Sequence, residues 1–199
     1  KTGTLPAGDL SVTDMIPLDA PDADAVLARA TALERRSEHP VAAAIVDRGT
    51  ERDPADGAVA ADTISNFEAL AGEGIRADLD DETHYVGKRS LFESLGFDLG
   101  HAHVRTDGGR AAATTVAPDA TTEASPVPDA TECEHGRYVD LAGEIIPDLQ
   151  ADGKTVVVVG TADRLLGVVA VADTVRPESS WVVDRLHALG VDRVVMLTR

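Results

Sequence analysis

A carboxylate and an imidazole stand close together in Glu34-Arg35-Arg36-Ser37-Glu38-His39-Pro40, with Glu34 five residues ahead of His39. Such a pair could exchange a proton, or the ring could be a packing histidine in a buried-looking step between two helices. Asp173, in Asp173-Thr174-Val175-Arg176-Pro177, closes an apolar run at what reads as a strand's carboxyl end, where open α/β sheets place their active groups. Asp173 and Arg176 could equally form a structural ion pair. Gly72-Glu73-Gly74 and Gly87 would let the backbone approach a ligand where any Cβ would clash. His101, His103, Cys133 and His135 could hold a soft cation, although ligands scattered through a loop more often hold nothing.

The elements that must position these groups follow from periodicity. Leu10 to Leu18 reads as a short strand. Asp22 can cap a helix whose apolar residues Val26, Leu27, Ala30 and Leu33 recur at helical spacing. Pro40 suits the first turn of a second helix, with Val41, Ala44 and Ile45 on one face and Gly49 as its stop. From Thr63 the period changes to two, predicting an antiparallel meander with bends at Gly72-Glu73-Gly74 and Asp80-Asp81-Glu82. Ser90 to Leu95 reads as a short helix stopped by Gly96. Residues from about 101 to 136 carry few large apolar side chains, which predicts a flexible insertion.

After Gly153 the apolar content jumps. Val156 to Val159 and Leu165 to Val171 are near-continuous runs of the kind buried on both faces of a sheet. Glu178 to Leu189 follows as an amphipathic helix and Arg193 to Thr198 as another strand, a spacing that suits a parallel α/β unit. Two architectures are therefore expected, α+β in the middle and α/β at the ends.

Composition narrows the function classes. The 199 residues carry 35 acidic and 18 basic side chains, a formal charge of -17, which repels nucleic acid and anionic lipid. The charge is spread along the chain, as in the solvated coat of proteins that work in high salt, so a halophilic source is expected. A single cysteine, Cys133, excludes an intrachain disulfide. No apolar run approaches bilayer length.

Taken in order, these segments resemble one family. Lys1-Thr2-Gly3-Thr4-Leu5 resembles the tail of the Asp-Lys-Thr-Gly-Thr phosphorylation loop of P-type ATPases. Asp173-Thr174-Val175-Arg176-Pro177 resembles their Asp-x-x-Arg-Pro hinge, and Met196-Leu197-Thr198 the start of their Met-Leu-Thr-Gly-Asp loop. Ser37-Glu38-His39-Pro40 with Gly72-x-Gly74 is similar to the nucleotide-binding domain of the heavy-metal-transporting branch. Tyr85-Val86-Gly87, the run from Leu166 to Asp173 and Leu186-His187-x-Leu189-Gly190 look more like the zinc/cadmium/lead pumps than the copper pumps.

The resemblance implies an antiparallel-sheet nucleotide-binding domain inserted in an incomplete haloacid-dehalogenase-like, Rossmann-type phosphorylation domain. The expected borders are 1–9 and 153–199 for the two phosphorylation pieces and 10–152 for the nucleotide-binding domain. It implies ATP and Mg²⁺ as ligands, with Glu34, His39, Gly72, Gly74, Gly87, Asp173 and Arg176 at the nucleotide. Thr2, Thr4 and Thr198 form the catalytic set, Thr2 also meeting Mg²⁺ through its backbone carbonyl. An adenine ring would suit this set: His39 offers a flat face, Glu34 an acceptor. The nucleophilic Asp of the family would precede Lys1, so this stretch is expected to bind ATP without hydrolysing it. The whole would be an ATP-driven heavy-metal export pump, the domain lying at the cytoplasmic face of the membrane. Its partners would be the transmembrane and actuator domains of the same polypeptide, with the transported ion bound elsewhere and no nucleic acid.

Three residues depart from the family pattern. Pro6 replaces a Thr, Lys88 stands where an Asn commonly follows the third glycine, and Arg199 stands in place of a Gly. A lysine at 88 could reach a phosphate instead. Alternatives are a copper-transporting pump, a soluble haloacid-dehalogenase-like phosphatase with residues 10–150 as its cap, and a non-catalytic nucleotide-sensing module.

Overall fold

The structure, a computed structural model, describes residues 6–52, 64–104, 112–115, 124–126, 131–133, 136–175, 185 and 187–191. Its first strand, β1, runs Pro6–Pro17 and leads into helix α1, Ala23–Glu34. The Asp22 carboxylate accepts from the Ala25 backbone N–H at 2.8 Å and so satisfies one of the open donors of the first turn. Helix α2, Pro40–Arg52, opens at the expected proline. Gly49, expected to end α2, instead lies inside it. A Cβ at that position would come within 2.2 Å of Thr31 Oγ1, and Thr31 itself donates to the Ile45 carbonyl at 3.3 Å. Close approach of the two helices, which only a glycine permits, outweighs its weak helix propensity.

Strands β2 (Ile64–Leu70), β3 (Gly74–Leu79) and β4 (Glu82–Gly87) form the expected antiparallel meander. Its second bend places Asp80 and Asp81 at φ 53° and 65°, a left-handed pair that a two-residue hairpin requires. Strands β10 (Thr155–Thr161) and β11 (Leu165–Val175) sit beside them, after the shorter elements described below. With β6 (Ala112–Thr115) and β7 (Ala124–Pro126) they complete one eight-stranded sheet in the order β2-β3-β4-β10-β11-β1-β6-β7.

The valine runs are buried on both faces, as their composition predicts. Val157, Val159, Val169 and Val171 pack with α1 and α2, whereas Val156, Val158, Val168 and Ala170 pack on the opposite side. These strands nonetheless pair antiparallel, β10 with both β4 and β11, and β11 with β1. Double-sided burial indicates cover on both faces, and here that cover is supplied without parallel crossovers. The expected border at residues 152 and 153 lies in the turn between α4 and β10, and strands on both sides of it in the sequence share one sheet. The helix expected over 178–189 and the strand over 193–198 fall largely or wholly outside the described residues.

The second face is covered by helix α3 (Arg89–Ser94), strands β5 (Ala102–Val104), β8 (Thr131–Cys133) and β9 (Gly136–Val139), a π-turn at Leu141–Ile145 and helix α4 (Ile146–Ala151). Strands β5, β9 and β8 make a small antiparallel sheet of their own. The margins of the expected flexible insertion are thus paired, Ala102 opposite Val139 and His103 opposite Tyr138. Ala102, Val104 and Val139 are buried in the second core, so a few small apolar residues at alternate positions suffice once the large sheet offers them a surface.

The α1–α2 contact yields a test. Gly49→Ala is expected to lower unfolding free energy by about 1–3 kcal/mol through overpacking against Thr31. Thr31→Ala in the same chain should recover part of the loss, measured by chemical denaturation.

Candidate functional site

The corner between α1 and α2 carries the first two predicted ligand residues. Glu34 ends α1 and is 7% exposed, whereas Glu38, His39 and Pro40 are exposed and Ser37 is intermediate. The buried-looking step of the sequence therefore divides: the carboxyl is inside and the imidazole outside. Helix propagation explains this division. Glu34 shares its buried turn with Leu33 and Ala30, while the chain leaves the helix after Arg35. Arg36 Nη2 donates to the Ile64 carbonyl at 3.1 Å, fastening the corner to the start of β2.

His39 is oriented by its own backbone. The Val41 N–H donates to His39 Nδ1 at 3.2 Å, in the first turn of α2. With Nδ1 accepting, the proton of the neutral ring sits on Nε2, and the free edge turned to solvent is a donor. Glu34 has the opposite character. Burial pushes its carboxyl up from 4.5 to about 7, against a smaller downward pull from a hydrogen bond with the Ser37 side chain. An uncharged carboxyl offers both a donor and an acceptor, and a flat ring stands five residues away.

The glycines lie at one end of the meander. Gly72 takes φ +77°, with open space where a Cβ would point. Gly74 and Gly87 face each other across β3 and β4. A Cβ on Gly74 would lie 2.3 Å from the Val86 carbonyl oxygen, and one on Gly87 would lie 2.5 Å from the Glu73 carbonyl oxygen. Their first requirement is thus the approach of the chain to itself, which leaves a rim of bare backbone. Lys88 continues that rim, its N–H donating to the Glu73 carbonyl at 2.7 Å.

Asp173 is exposed near the end of β11, opposite Leu10 of β1. Thr2, Thr4, Arg176, Thr198 and Arg199 lie outside the described residues, as does His135. The structure therefore describes the corner and the glycine rim in one fold and leaves the expected phosphate loops undescribed. Among the described residues no group of three or more His, Cys, Asp or Glu side chains is placed to hold a metal. His101 instead stacks on Tyr138, with ring centroids 3.8 Å apart, and meets His103 edge-on at 5.0 Å.

Sequence reading missed three polar contacts that support this frame. The Lys154 ammonium meets the buried Asp14 carboxylate at 2.8 Å. Arg164 ties the β10–β11 bend to Glu82 at 2.8 Å, and the Nδ1–H of buried His84 donates to the Glu82 carbonyl at 2.9 Å. Each partner is distant in sequence or ordinary in type, so no spacing announces it.

The raised Glu34 group sets a pH dependence. Below pH 4.5 folded and unfolded chains both hold the proton, and the site costs nothing. As pH rises towards 7 the unfolded chain releases it first, so stability falls, and the penalty is constant above that. Glu34→Gln should remove this penalty. The stability gap between variant and wild type is expected to open by about 2–3 kcal/mol between acidic and mildly alkaline buffer, read by denaturant titration.

Residues 1–199 match the haloacid dehalogenase-like hydrolase family. The chain is 31% identical over 204 residues to a probable cadmium-transporting ATPase of Listeria monocytogenes, an alignment covering 100% of this chain and 22% of the relative. It is 35% identical over 198 residues to a probable copper-exporting P-type ATPase V of Mycobacterium tuberculosis, covering 100% of this chain and 20% of that protein. A solved zinc-transporting PIB-type ATPase in an E2·Pi state is similar at a TM-score of 0.63 and 26% identity, over 96% of this chain and 23% of that one. The chain spans about a fifth of the length of the curated relatives it matches. The family match runs from the first residue to the last, and the solved likeness carries the antiparallel sheet with it: the chain belongs to the haloacid dehalogenase-like hydrolase family, in which it resembles a segment of the heavy-metal-transporting P-type ATPases.

Proposed function

We propose that this chain is the ATP-binding and partial phosphorylation region of an ATP-driven heavy-metal export pump, of the zinc/cadmium/lead branch. The observation that carries the reading is His39: an exposed ring with Nδ1 tied to the backbone, at the same α1–α2 corner as the buried Glu34. Adenine would stack on the imidazole, with Glu34 meeting its polar edge and the chain running past the Gly72–Gly74 bend and Gly87. Asp173 and Arg176 would meet the ribose. Because β10 and β11 lie at the centre of the sheet, the nucleotide-binding fold would extend through them, and the phosphorylation pieces would begin beyond Pro6 and Asp173.

The phosphoryl step belongs to the outer segments. An Asp preceding Lys1 would attack the γ-phosphorus with a carboxylate oxygen, and the bond to the bridging oxygen would break as ADP leaves with the electron pair. Water would then cleave the acyl phosphate. Thr2, Thr4 and Thr198 would donate to the phosphoryl oxygens. Mg²⁺, held at the Thr2 carbonyl, would neutralise charge on the phosphates. No described helix is long and apolar enough to cross a membrane. The transmembrane and actuator domains would lie elsewhere in the polypeptide, with this region at the cytoplasmic face. Copper export is the second reading, favoured by the 35% identity to the mycobacterial protein.

His39→Asn keeps a side-chain acceptor for the Val41 N–H and removes the ring. ATP affinity is expected to fall about tenfold, with adenosine falling equally. In NMR titrations of the wild type, ATP should move the His39, Gly72 and Gly74 signals, and adenine-free triphosphate should not. Equal shifts with both would overturn the assignment.

A further inference from the structure

One buried titratable side chain takes no part in the nucleotide site. His84, 3% exposed, lies on β4 three residues before Gly87. Its Nδ1–H donates to the Glu82 carbonyl at 2.9 Å, so the neutral ring presents a lone pair at Nε2. Among the described residues no donor meets that lone pair. The Glu82 carboxylate lies 3.6 Å from it, beyond hydrogen-bond length, and is itself an acceptor. A buried acceptor left unanswered carries a desolvation cost that a suitable ligand removes.

The ring lines a cleft of about 200 Å³ between the start of α1, the β3–β4 turn and the β10–β11 bend. Arg29 and Arg164 bring two guanidiniums to this cleft, Asp19 and Glu82 two carboxylates, and Leu166 an apolar wall. The charges are not equivalent. Arg164 meets Glu82 at 2.8 Å and Asp19 at 3.8 Å, so one guanidinium answers both carboxylates. Arg29 is half-buried, and among the described residues its guanidinium forms no ion pair or hydrogen bond. The cleft thus keeps one unpaired cation and one unanswered lone pair.

These two demands select a ligand. Arg29 calls for an anion, whereas Nε2 calls for a group that still carries a proton. Monohydrogen phosphate meets both, with anionic oxygens and a single O–H. Sulfate has the same shape and charge but no proton to give, and a fully ionised phosphate monoester lacks one as well. We infer that this cleft binds inorganic phosphate in its monohydrogen form, Arg29 donating to the anionic oxygens and the phosphate O–H donating to His84 Nε2. The site needs no nucleotide at the α1–α2 corner. In the pump reading, inorganic phosphate is the product of acyl-phosphate cleavage, which gives such a ligand a source.

Calorimetric titration of the chain in mildly alkaline buffer compares phosphate with sulfate and phenyl phosphate. Phosphate is expected to bind about tenfold more tightly than either, because only it satisfies the lone pair. Arg29→Met keeps the apolar stem and removes the charge, and phosphate affinity should fall about tenfold. His84 is too buried for its replacement to be a safe test, so the wild type supplies the second readout. In nitrogen-detected NMR the His84 ring signals should move on adding phosphate and stay in place on adding sulfate. Equal affinity for phosphate and sulfate, no binding of phosphate, an unchanged affinity in Arg29→Met, or unmoved His84 signals would each overturn the inference.

Discussion

Everything in this fold leans on the double-sided burial of two valine-rich strands. Val156 to Val159 and Val168 to Val171 fill the centre of the sheet, alternate side chains entering opposite cores. Each such side chain contributes roughly 1.5 kcal/mol or more on leaving water. The chain has few aromatics to supply the same area by other means, so the two faces must both be covered. Helices α1 and α2 cover one, and the small sheet with α3 and α4 covers the other. Gly167 shows how tight that cover is, since a Cβ there would come within 2.7 Å of a Val26 methyl. The Glu34–His39 corner exists because α1 must cross this surface and then turn back over it as α2.

The parts of this architecture that depend on local chemistry were legible. Asp22, Pro40 and the two-residue turn at Asp80-Asp81 each act on their own neighbours, and each element starts or bends where those residues stand. What distant partners decide was not legible. Gly49 reads as a stop until Thr31 is known to lie against it. The valine runs read as strands of a parallel α/β end, and their antiparallel partners β1 and β4 were not legible, because periodicity reports burial and says nothing of a neighbour's direction. The small sheet of β5, β8 and β9 was hidden because its strands are short and gain their burial from a surface formed elsewhere. At the site, residue types and the order of motifs pointed to Glu34, His39 and the glycines, but which of the two would be buried depended on where α1 stops.

The polar groups divide by task. Lys154 and Asp14 neutralise one another where β1 is bulged, and Arg164 clamps a bend to Glu82, so these charges hold strands in register. Glu34 is different: among the described residues no cation pairs with it, and burial leaves its carboxyl poised near neutrality. Such a group destabilises the fold in its ionised form, a cost that structural residues seldom carry and that sites of recognition often do.

One feature of the sheet reaches beyond the domain itself. Strands β1 and β11 run antiparallel along almost their whole length, from Pro6 opposite Val175 to Pro17 opposite Gly167. The chain therefore enters and leaves this body through adjacent rungs of one ladder. To any fold in which it is embedded, everything between those residues counts topologically as a hairpin, and inserting it need not part the ends of the host's own strands.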